Sequence, residues 1–345
     1  MKVVGNPGYR PLSDGVYALE AGNCVPPAAV DAVIFDVDGV LVDVSGSFRR
    51  ANTLSVQHYF NRFLNIPGDD LLIDTAEYEL FKLAGDFNND WDLSKAAVAY
   101  CLMKQICGGN GSADTSSIRK LEPSLEDFTV RVSKRGGGLA NALSLVRETL
   151  DDAGLEKFEK KFDPELIKRI FMEYYAGTER CGQLYGIEAG HYHGPGLIEE
   201  EVFLLNVSMI ERLQLKGVQF GILSGRTPEE ADYLFRREGL DRLLNPRFIL
   251  TDDGDLPAKP NPAGLATLAG RMGFTAAVYV GDVPDDWTTV RRYRTEHESL
   301  APVAGCMVST GSTSGGAMDR YLAKERVDYL AADVNHLLAA LYEAR

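Results

Sequence analysis

Residues 31–43 read Asp-Ala-Val-Ile-Phe-Asp-Val-Asp-Gly-Val-Leu-Val-Asp, and this stretch decides the fold of the chain. The apolar run at 32–35 contains branched and aromatic side chains, which favours a buried β-strand. Asp36, Asp38 and Gly39 end the run, so we expect the strand to open into a polar loop. In an α/β sheet, ligands normally bind beside loops that follow the carboxyl ends of strands.

Other apolar runs followed by polar residues recur in the C-terminal half of the chain. Residues 219–223 precede Ser224, and residues 277–280 precede Gly281-Asp282. Further strands are predicted over 247–250, 306–309 and 328–331, and helices over 199–216, 228–238, 262–272 and 334–341. Strands that alternate with helices favour a parallel sheet covered on both faces. The sequence therefore predicts an α/β fold with a Rossmannoid parallel sheet.

The residues before and between these segments have a different character. The first thirty residues contain four prolines and four glycines without clear periodicity, which predicts a surface extension over 1–30. Residues 45–198 carry apolar residues at helical spacing. Helices are predicted there over 48–63, 71–83, 93–106, 139–150 and 164–175. We therefore predict an α/β core over 31–44 and 199–345, interrupted by a helical domain over 45–198.

The composition excludes several classes of protein. Lysine and arginine number 36 against 50 aspartates and glutamates, which gives a net charge of −14. Such a chain has no general attraction to nucleic acid or to anionic membranes, so an anionic substrate needs a local positive site. The five cysteines form no CxxC pair, which argues against a disulfide framework. No apolar run approaches the ~20 residues that span a bilayer, and we expect a soluble, cytoplasmic protein.

Acidic residues follow several of the predicted strands. Asp36 and Asp38 follow the first strand, and Asp282 follows the strand at 277–280. Carboxylates that converge on one crevice repel each other unless a cation lies among them, and Mg²⁺ is the natural candidate for hard oxygen ligands. A hydroxyl such as that of Ser224 and an ammonium such as that of Lys259 suit the oxygens of a phosphoryl group.

Four short motifs together resemble those of the haloacid dehalogenase superfamily. The sequence at 36–43, Asp-Val-Asp-Gly-Val-Leu-Val-Asp, resembles motif I, and Leu-Ser-Gly-Arg at 223–226 resembles motif II. Lys-Pro-Asn-Pro at 259–262 resembles motif III, and Gly-Asp-Val-Pro-Asp-Asp at 281–286 resembles motif IV. The order matches that of the superfamily. The resemblance covers 31–44 and 199–341, and the intervening region only in general character.

The resemblance implies a catalytic role for each matching position. Asp36 would be the nucleophile that attacks phosphorus and forms an aspartyl-phosphate. Asp38 would protonate the leaving oxygen and then activate water. Ser224 and the backbone amide of Gly225 would bind phosphoryl oxygens, and Lys259 would neutralise their charge.

The same resemblance implies a magnesium site. Asp36, the backbone carbonyl of Asp38, and Asp282 would hold Mg²⁺, and Asp286 would reach it through water or through hydrogen bonds. The family spacing GDxxxD selects Asp286 over its neighbour Asp285, which would then be solvated.

The region between motifs I and II resembles an enlarged helical cap of the C1 type, a lid that recognises the leaving group of the substrate. Candidates for substrate contact there are Arg49, Arg50, Asn88, Asn89, Lys134 and Arg135. Helix capping accounts equally well for the two asparagines, and a solvated linker accounts for Lys134-Arg135 before Gly136. His191 and His193 lack an evident third ligand for a metal and are interpreted as incidental.

These features predict a Mg²⁺-dependent phosphatase that acts on a small phosphorylated metabolite, without a nucleic-acid or membrane partner. A sugar phosphomutase of the β-phosphoglucomutase type would use the same Asp36/Asp38 pair and stays open. A phosphonoacetaldehyde hydrolase is disfavoured, because that relative has a different residue at the position of Asp38. A non-catalytic phosphate-binding or scaffold module is the third alternative. The sequence does not determine the oligomeric state.

Overall fold

A computed structural model describes residues 8–20, 25–87, 89–109, 113–310 and 324–345 of the chain. The chain divides into two compact units. The core unit comprises Met1–Val44 and Val202–Arg345, and the insert unit comprises Ser45–Glu201. Among the described residues, no helix is both long enough and apolar enough to cross a membrane.

The core unit is built on an eight-stranded sheet, as the α/β prediction requires. Its strands are β1 (Tyr9–Ser13), β2 (Val16–Leu19), β3 (Ala32–Phe35), β6 (Gln219–Leu223), β7 (Ile249–Leu250), β8 (Ala277–Gly281), β9 (Val303–Val308) and β10 (Tyr329–Ala331). The spatial order is β1-β2-β10-β9-β8-β3-β6-β7. A separate two-stranded ladder pairs β4 (Val42–Asp43) with β5 (Val202–Phe203). All pairings from β10 to β7 in the large sheet are parallel.

Strand β3 lies inside the sheet and positions the first motif. It pairs in parallel with β6 on one side and with β8 on the other, so that Phe35 is level with Ile222 and Val280. Its four side chains are buried and alternate between two hydrophobic clusters, with Val33 in one and Ile34 in the other. Burial on both faces explains why this strand reads as a continuous apolar run.

The helices of the core unit pack on these strands. They are α9 (Val207–Gln214), α10 (Pro228–Glu238), α11 (Ala263–Met272), α12 (Pro284–Glu296) and α13 (Val334–Ala344). Helix α10 begins with a capping box in which the Thr227 side chain accepts from the backbone N–H of Glu230. It ends at Gly239, which adopts a left-handed conformation with φ of 74°.

The insert unit is helical. It contains α1 (Phe48–His58), a π-helical turn (Tyr59–Phe63), α2 (Tyr78–Ala84), α3 (Asp90–Gly108), α4 (Thr115–Lys120), α5 (Leu125–Ser133), α6 (Gly138–Thr149), α7 (Asp152–Lys161) and α8 (Pro164–Tyr185). Helix α3 is buried along most of its length and lies among the other helices of the unit. The predicted helix over 71–83 is shorter than expected, and α4, α5 and α7 had no counterpart in the sequence interpretation.

The predicted surface extension over 1–30 is wrong for its described part. Strands β1 and β2 form an antiparallel hairpin at the edge of the large sheet, and Ala18 of β2 pairs with Tyr329 of β10. The turn contains Gly15 with φ of 67°, a conformation that glycine adopts without strain. Asp14-Gly15 is a hairpin signal. Strand β10, with which the hairpin pairs, lies more than three hundred residues away in sequence.

The predicted helix over 199–216 is also wrong in its first half. The chain there forms a 3₁₀ turn (Leu197–Glu200) and β5 before α9 begins. The side chain of Asn206 accepts from the backbone N–H of Ser208 and so fixes the start of α9. The predicted strand over 247–250 shortens to β7, because Pro246–Phe248 form a 3₁₀ turn.

Candidate functional site

Three buried carboxylates converge at the carboxyl edge of the large sheet. Asp36 directly follows β3, Asp282 directly follows β8, and Asp286 lies in the first turn of α12. One carboxylate oxygen from each lies within 4.8 Å of the others. The three residues are 6%, 3% and 1% exposed. They converge because β3 and β8 are parallel neighbours that end at the same edge.

Hydrogen bonds fix the carboxylate of Asp286 in this cluster. Its Oδ2 accepts from the backbone N–H groups of Asp282 and Val283 at 3.0 and 3.1 Å. Its Oδ1 accepts from the Tyr279 hydroxyl at 2.8 Å. A Cβ at Gly281 would lie 2.3 Å from the Asp286 side chain, so this close approach requires glycine.

Lys259 lies between two of the carboxylates. Its Nζ is 2.9 Å from Oδ2 of Asp36 and 2.8 Å from Oδ1 of Asp286. The same ammonium donates to the Tyr279 hydroxyl at 3.2 Å. Although burial acts to lower the pKa of Lys259, the charges of Asp286 and Asp36 raise it well above its usual range. The ammonium is therefore a permanent positive charge in the site.

The single ammonium does not compensate the negative charge of the cluster. Burial raises the pKa of Asp36 to about 8; Lys259 acts against this shift, and Asp286, Asp282 and Asp38 add to it. An ionised Asp36 is thus disfavoured as long as no further positive charge is present. The donors are all carboxylate oxygens, which suit a hard divalent cation such as Mg²⁺. This donor set fits the predicted metal.

Asp38 lies beside the cluster and is held by an arginine. The Arg226 side chain is fully buried, and its Nε donates to Oδ1 of Asp38 at 2.7 Å. Its Nη2 lies 2.6 Å from the same oxygen. The Asp38 side chain stays 30% exposed, in contrast to Asp36. Asp38 therefore combines a fixed orientation with access from outside.

Ser224 follows β6, the other parallel neighbour of β3. Its backbone N–H donates to the carbonyl of Leu250 at 3.0 Å, and its Oγ accepts from the backbone N–H of Arg226 at 3.2 Å. Ser224 is buried and Gly225 is partly exposed. The second predicted motif thus lies at the same sheet edge as Asp36, because β6 and β3 run parallel.

Two residues of the site, Arg226 and Tyr279, had no assigned role in the sequence analysis. Arg226 contacts Asp38, and Tyr279 contacts both Lys259 and Asp286. Arg226 is adjacent to the Ser224-Gly225 pair, so its place in that motif was the available signal. Tyr279 reads only as one apolar position in a buried strand, and nothing in the sequence indicates its hydrogen bonds.

Apart from Gly225, the predicted substrate contacts lie in the insert unit or outside the described residues. The Asn89 side chain caps α3 and accepts from the backbone N–H of Asp92 at 3.0 Å. Arg135 forms two 2.7 Å hydrogen bonds with Glu148, and Arg50 pairs with Glu200. Arg49 lies in the first turn of α1 and Lys134 is exposed at the end of α5, whereas Asn88 lies outside the described residues.

Comparisons with known proteins agree with this architecture. A sequence model of the haloacid dehalogenase-like hydrolase family matches residues 30–291. The solved structure of phosphatase Tt82 from Thermococcus thioreducens is similar in fold, with a TM-score of 0.57 and 22% identity; the likeness covers 90% of this chain and 99% of that one.

A curated relative matches only in part. Imidazoleglycerol-phosphate dehydratase of Phytophthora nicotianae is 24% identical over 259 residues, which is 74% of this chain. This chain spans only 40% of the length of that relative. The matched segment is therefore a minor part of the relative's sequence.

Proposed function

Because the chain belongs to the haloacid dehalogenase-like hydrolase family, we propose that it is a Mg²⁺-dependent phosphatase for a small phosphorylated metabolite. The observation that carries the proposal is the buried cluster of Asp36, Asp282 and Asp286 with Lys259 against two of its members. Buried like charges are costly, and they are retained where they bind a cation or carry out chemistry. The net charge of −14 gives no support for nucleic acid as a substrate.

The cluster would hold Mg²⁺ through Asp36 and Asp282, with the backbone carbonyl of Asp38 as a further ligand and Asp286 behind them. Mg²⁺ at this place supplies positive charge that favours an ionised nucleophile and stabilises the oxygens of a phosphoryl group.

Asp36 acts as the nucleophile. One of its carboxylate oxygens attacks phosphorus, the bond from phosphorus to the ester oxygen breaks, and an aspartyl-phosphate forms. Lys259 is 2.9 Å from Asp36 and compensates charge on the attacking group and on the phosphoryl oxygens. Ser224 and the amide of Gly225 donate hydrogen bonds to the phosphoryl oxygens.

Asp38 moves the protons. In its protonated form it donates to the leaving ester oxygen, and the resulting carboxylate then takes a proton from the attacking water. Water adds to phosphorus, the bond to Asp36 breaks, and inorganic phosphate leaves. The contact with Arg226 orients this side chain, and its partial exposure leaves room for the leaving group.

The test is release of inorganic phosphate from a panel of small phosphate esters, with Mg²⁺ or with EDTA. Three proteins are compared: wild type, Asp36→Asn and Asp285→Asn. Asp285 lies next to Asp286 in sequence but outside the three-carboxylate cluster, which makes it a matched control. We expect Mg²⁺-dependent release by wild type and Asp285→Asn, and loss in Asp36→Asn of at least about 10³-fold.

Other outcomes would replace the proposal. Transfer of the phosphoryl group to a second sugar hydroxyl without phosphate release would identify a phosphomutase. Binding of phosphate esters without any turnover would identify a binding module. Full activity in EDTA, or in Asp36→Asn, would contradict the role of the cluster.

A further inference from the structure

A cleft in the insert unit has no part in the chemistry proposed above. Its volume is about 490 Å³, and its lining comes from the end of α1, the π-helical turn, α8 and the segment 190–193. All its lining residues belong to Ser45–Glu201, whereas the carboxylate cluster belongs to the core unit. The cleft contains His191 and His193, which the sequence analysis interpreted as incidental.

One wall of the cleft is built by a rare backbone geometry. The π-helical turn Tyr59–Phe63 continues α1 directly, and such turns occur frequently at functional sites. It brings Arg62 and Phe63 to the cleft together with His58, the last residue of α1. The exposed fraction of Phe63 is 38%, which is high for a large apolar side chain.

The opposite wall is held in place by a buried carboxylate. Glu173 in α8 is fully buried, and its Oε2 accepts from the backbone N–H groups of Gly190, His191 and Tyr192 at 2.9, 2.5 and 2.9 Å. Its Oε1 pairs with Arg169 at 3.1 Å. The segment is therefore pre-ordered, and its side chains face the cleft without having to reorganise on binding.

Ring contacts connect the two walls. The Phe63 and His191 rings meet edge to face across the cleft with centroids 5.3 Å apart, and the Tyr174 and Tyr192 rings stack within the opposite wall with centroids 4.3 Å apart. Nδ1 of His58 lies 3.0 Å from the Tyr174 hydroxyl. These contacts fix the imidazoles of His58 and His191 as part of one aromatic lining.

The guanidinium of Arg62 gives the cleft a permanent positive charge in an acidic protein. In the part of the chain that the structure describes, no carboxylate forms an ion pair with Arg62. Burial lowers the pKa of His58, and the neighbouring His191 and Arg62 lower it further, while Glu173 acts in the opposite direction. The negative charge of Glu173 is already compensated by hydrogen bonds from three backbone amides and by the ion pair with Arg169. A bound anion beside Arg62 would favour the protonated form of His58 and so act against this lowering.

We infer that this cleft is a binding site for a small anion that carries a phosphate group. A guanidinium at Arg62 with the imidazoles of His58, His191 and His193 offers several N–H donors around one space, which suits a dianion with several oxygens. The inference does not depend on the proposed catalytic activity, because it concerns a different set of residues in the other unit.

The test follows the histidine rings of the full-length chain by NMR during a titration with inorganic phosphate. The chain has five histidines, of which His297 and His336 lie in the core unit and serve as internal controls. EDTA is present throughout and potassium chloride keeps the ionic strength constant. We expect saturable shifts of His58 and His191 with phosphate at up to about 30 mM, and none for the two controls.

Two variants with a matched control make the assignment specific. Removing the guanidinium in Arg62→Gln should weaken phosphate binding at least about tenfold, because a charged hydrogen-bonding partner is lost. Lys157→Gln removes one exposed positive charge from the same unit outside the cleft and should leave binding unchanged. Asp36→Asn should also leave these shifts unchanged, which separates the cleft from phosphate binding at the carboxylate cluster.

Several results would overturn the inference. They are the absence of saturable shifts at His58 and His191, equal shifts at all five histidines, or unaltered phosphate affinity in Arg62→Gln. If the cleft does not bind phosphate, the proposed phosphatase activity is unaffected, because phosphate release from esters is measured separately.

Discussion

Asp36 in the core unit and Glu173 in the insert unit are both buried carboxylates, but their surroundings differ in sign. Asp36 faces two other carboxylates and one lysine, and its pKa is raised to about 8, first by burial and then by these like charges. Glu173 is surrounded by three backbone amides and an arginine. Burial acts to raise the pKa of Glu173, but these hydrogen bonds outweigh it and lower the pKa.

The difference separates charge that does chemistry from charge that organises structure. The negative charge of Glu173 is compensated by hydrogen bonds and an ion pair within the insert unit, so this carboxylate acts as an anchor for the segment 190–192. The core cluster has an excess of negative charge that is compensated only when a cation binds. Changes at the two sites should therefore have different effects, and five predictions test this.

The largest effect is expected at Lys259. In Lys259→Met the carboxylates of Asp36 and Asp286 lose their buried partner, and the metal-free protein should lose about 3–5 kcal/mol of unfolding free energy. Chemical denaturation in EDTA measures this loss. Added Mg²⁺ should recover part of the stability. A metal-free variant as stable as wild type would show that the lysine does not compensate the cluster.

Mg²⁺ itself should stabilise the folded protein. At a concentration 100 times the dissociation constant, wild type should gain about 2.7 kcal/mol over the EDTA sample. Asp282→Asn removes one cluster carboxylate and should lose this gain, whereas Asp285→Asn should keep it. Thermal unfolding with and without Mg²⁺ gives the comparison. An equal gain in Asp282→Asn would place the metal elsewhere.

A smaller effect on stability is expected from Glu173→Gln. The variant keeps one acceptor oxygen but loses the charge that binds three N–H groups and Arg169, so the free energy of unfolding should fall by about 1–3 kcal/mol at pH 7. Glu148→Gln in the same unit is the control, because the Glu148 side chain is 55% exposed and its pair with Arg135 is open to solvent. An effect at Glu173 no greater than at Glu148 would contradict its role as an anchor.

The pH dependence of stability distinguishes the two carboxylates further. The folded pKa of Glu173 lies below its ordinary value of 4.5, so its contribution is present above that pH and is lost as the pH falls through the folded pKa. The folded pKa of metal-free Asp36 is raised from 3.8 to about 8, so its contribution is present below 3.8 and is lost as the pH rises through about 8. In Glu173→Gln, the loss of stability as the pH falls should disappear. In metal-free Asp36→Asn, the loss of stability as the pH rises should disappear. Chemical denaturation across this pH range measures both.

The smallest effect is expected from Arg226→Lys. Lysine keeps the positive charge near Asp38 but loses the two-nitrogen contact with Oδ1, so kcat should fall about tenfold, or ~1.4 kcal/mol, with little change in KM. Steady-state kinetics on the best ester of the panel measures both constants. A change in KM alone would indicate that Arg226 binds substrate and does not orient Asp38.

The sequence predicted those parts of the site that depend on local pattern. Asp36 and Asp282 were found because each follows a buried parallel strand, and parallel strands end at one edge of the sheet. The pair of Arg226 with Asp38 joins residues 188 positions apart, and no periodicity reports such a contact. The place of the β1–β2 hairpin in the sheet was missed for the same reason, because its partner β10 lies near the other end of the chain.

The insert unit was predictable as helical but not in its special features. Helices α1, α2, α3, α6 and α8 were predicted from apolar periodicity, whereas α4, α5 and α7 were not. The π-helical turn at Tyr59–Phe63 and the anchoring role of Glu173 have no sequence pattern. Glu173 reads as one acidic residue in an amphipathic helix. The roles implied for Asp36, Asp38, Ser224 and Lys259 stay predictions until activity is measured.

The most direct test of the central claim is to trap the covalent intermediate on Asp36. Wild type is mixed with the best phosphate ester and Mg²⁺, quenched in acid within one turnover, digested, and analysed by mass spectrometry. We expect one phosphoryl group, sensitive to hydroxylamine, on the peptide that contains Asp36, and none in EDTA or in Asp36→Asn. Turnover with the phosphoryl group on another residue, or continued turnover by Asp36→Asn, would contradict the account.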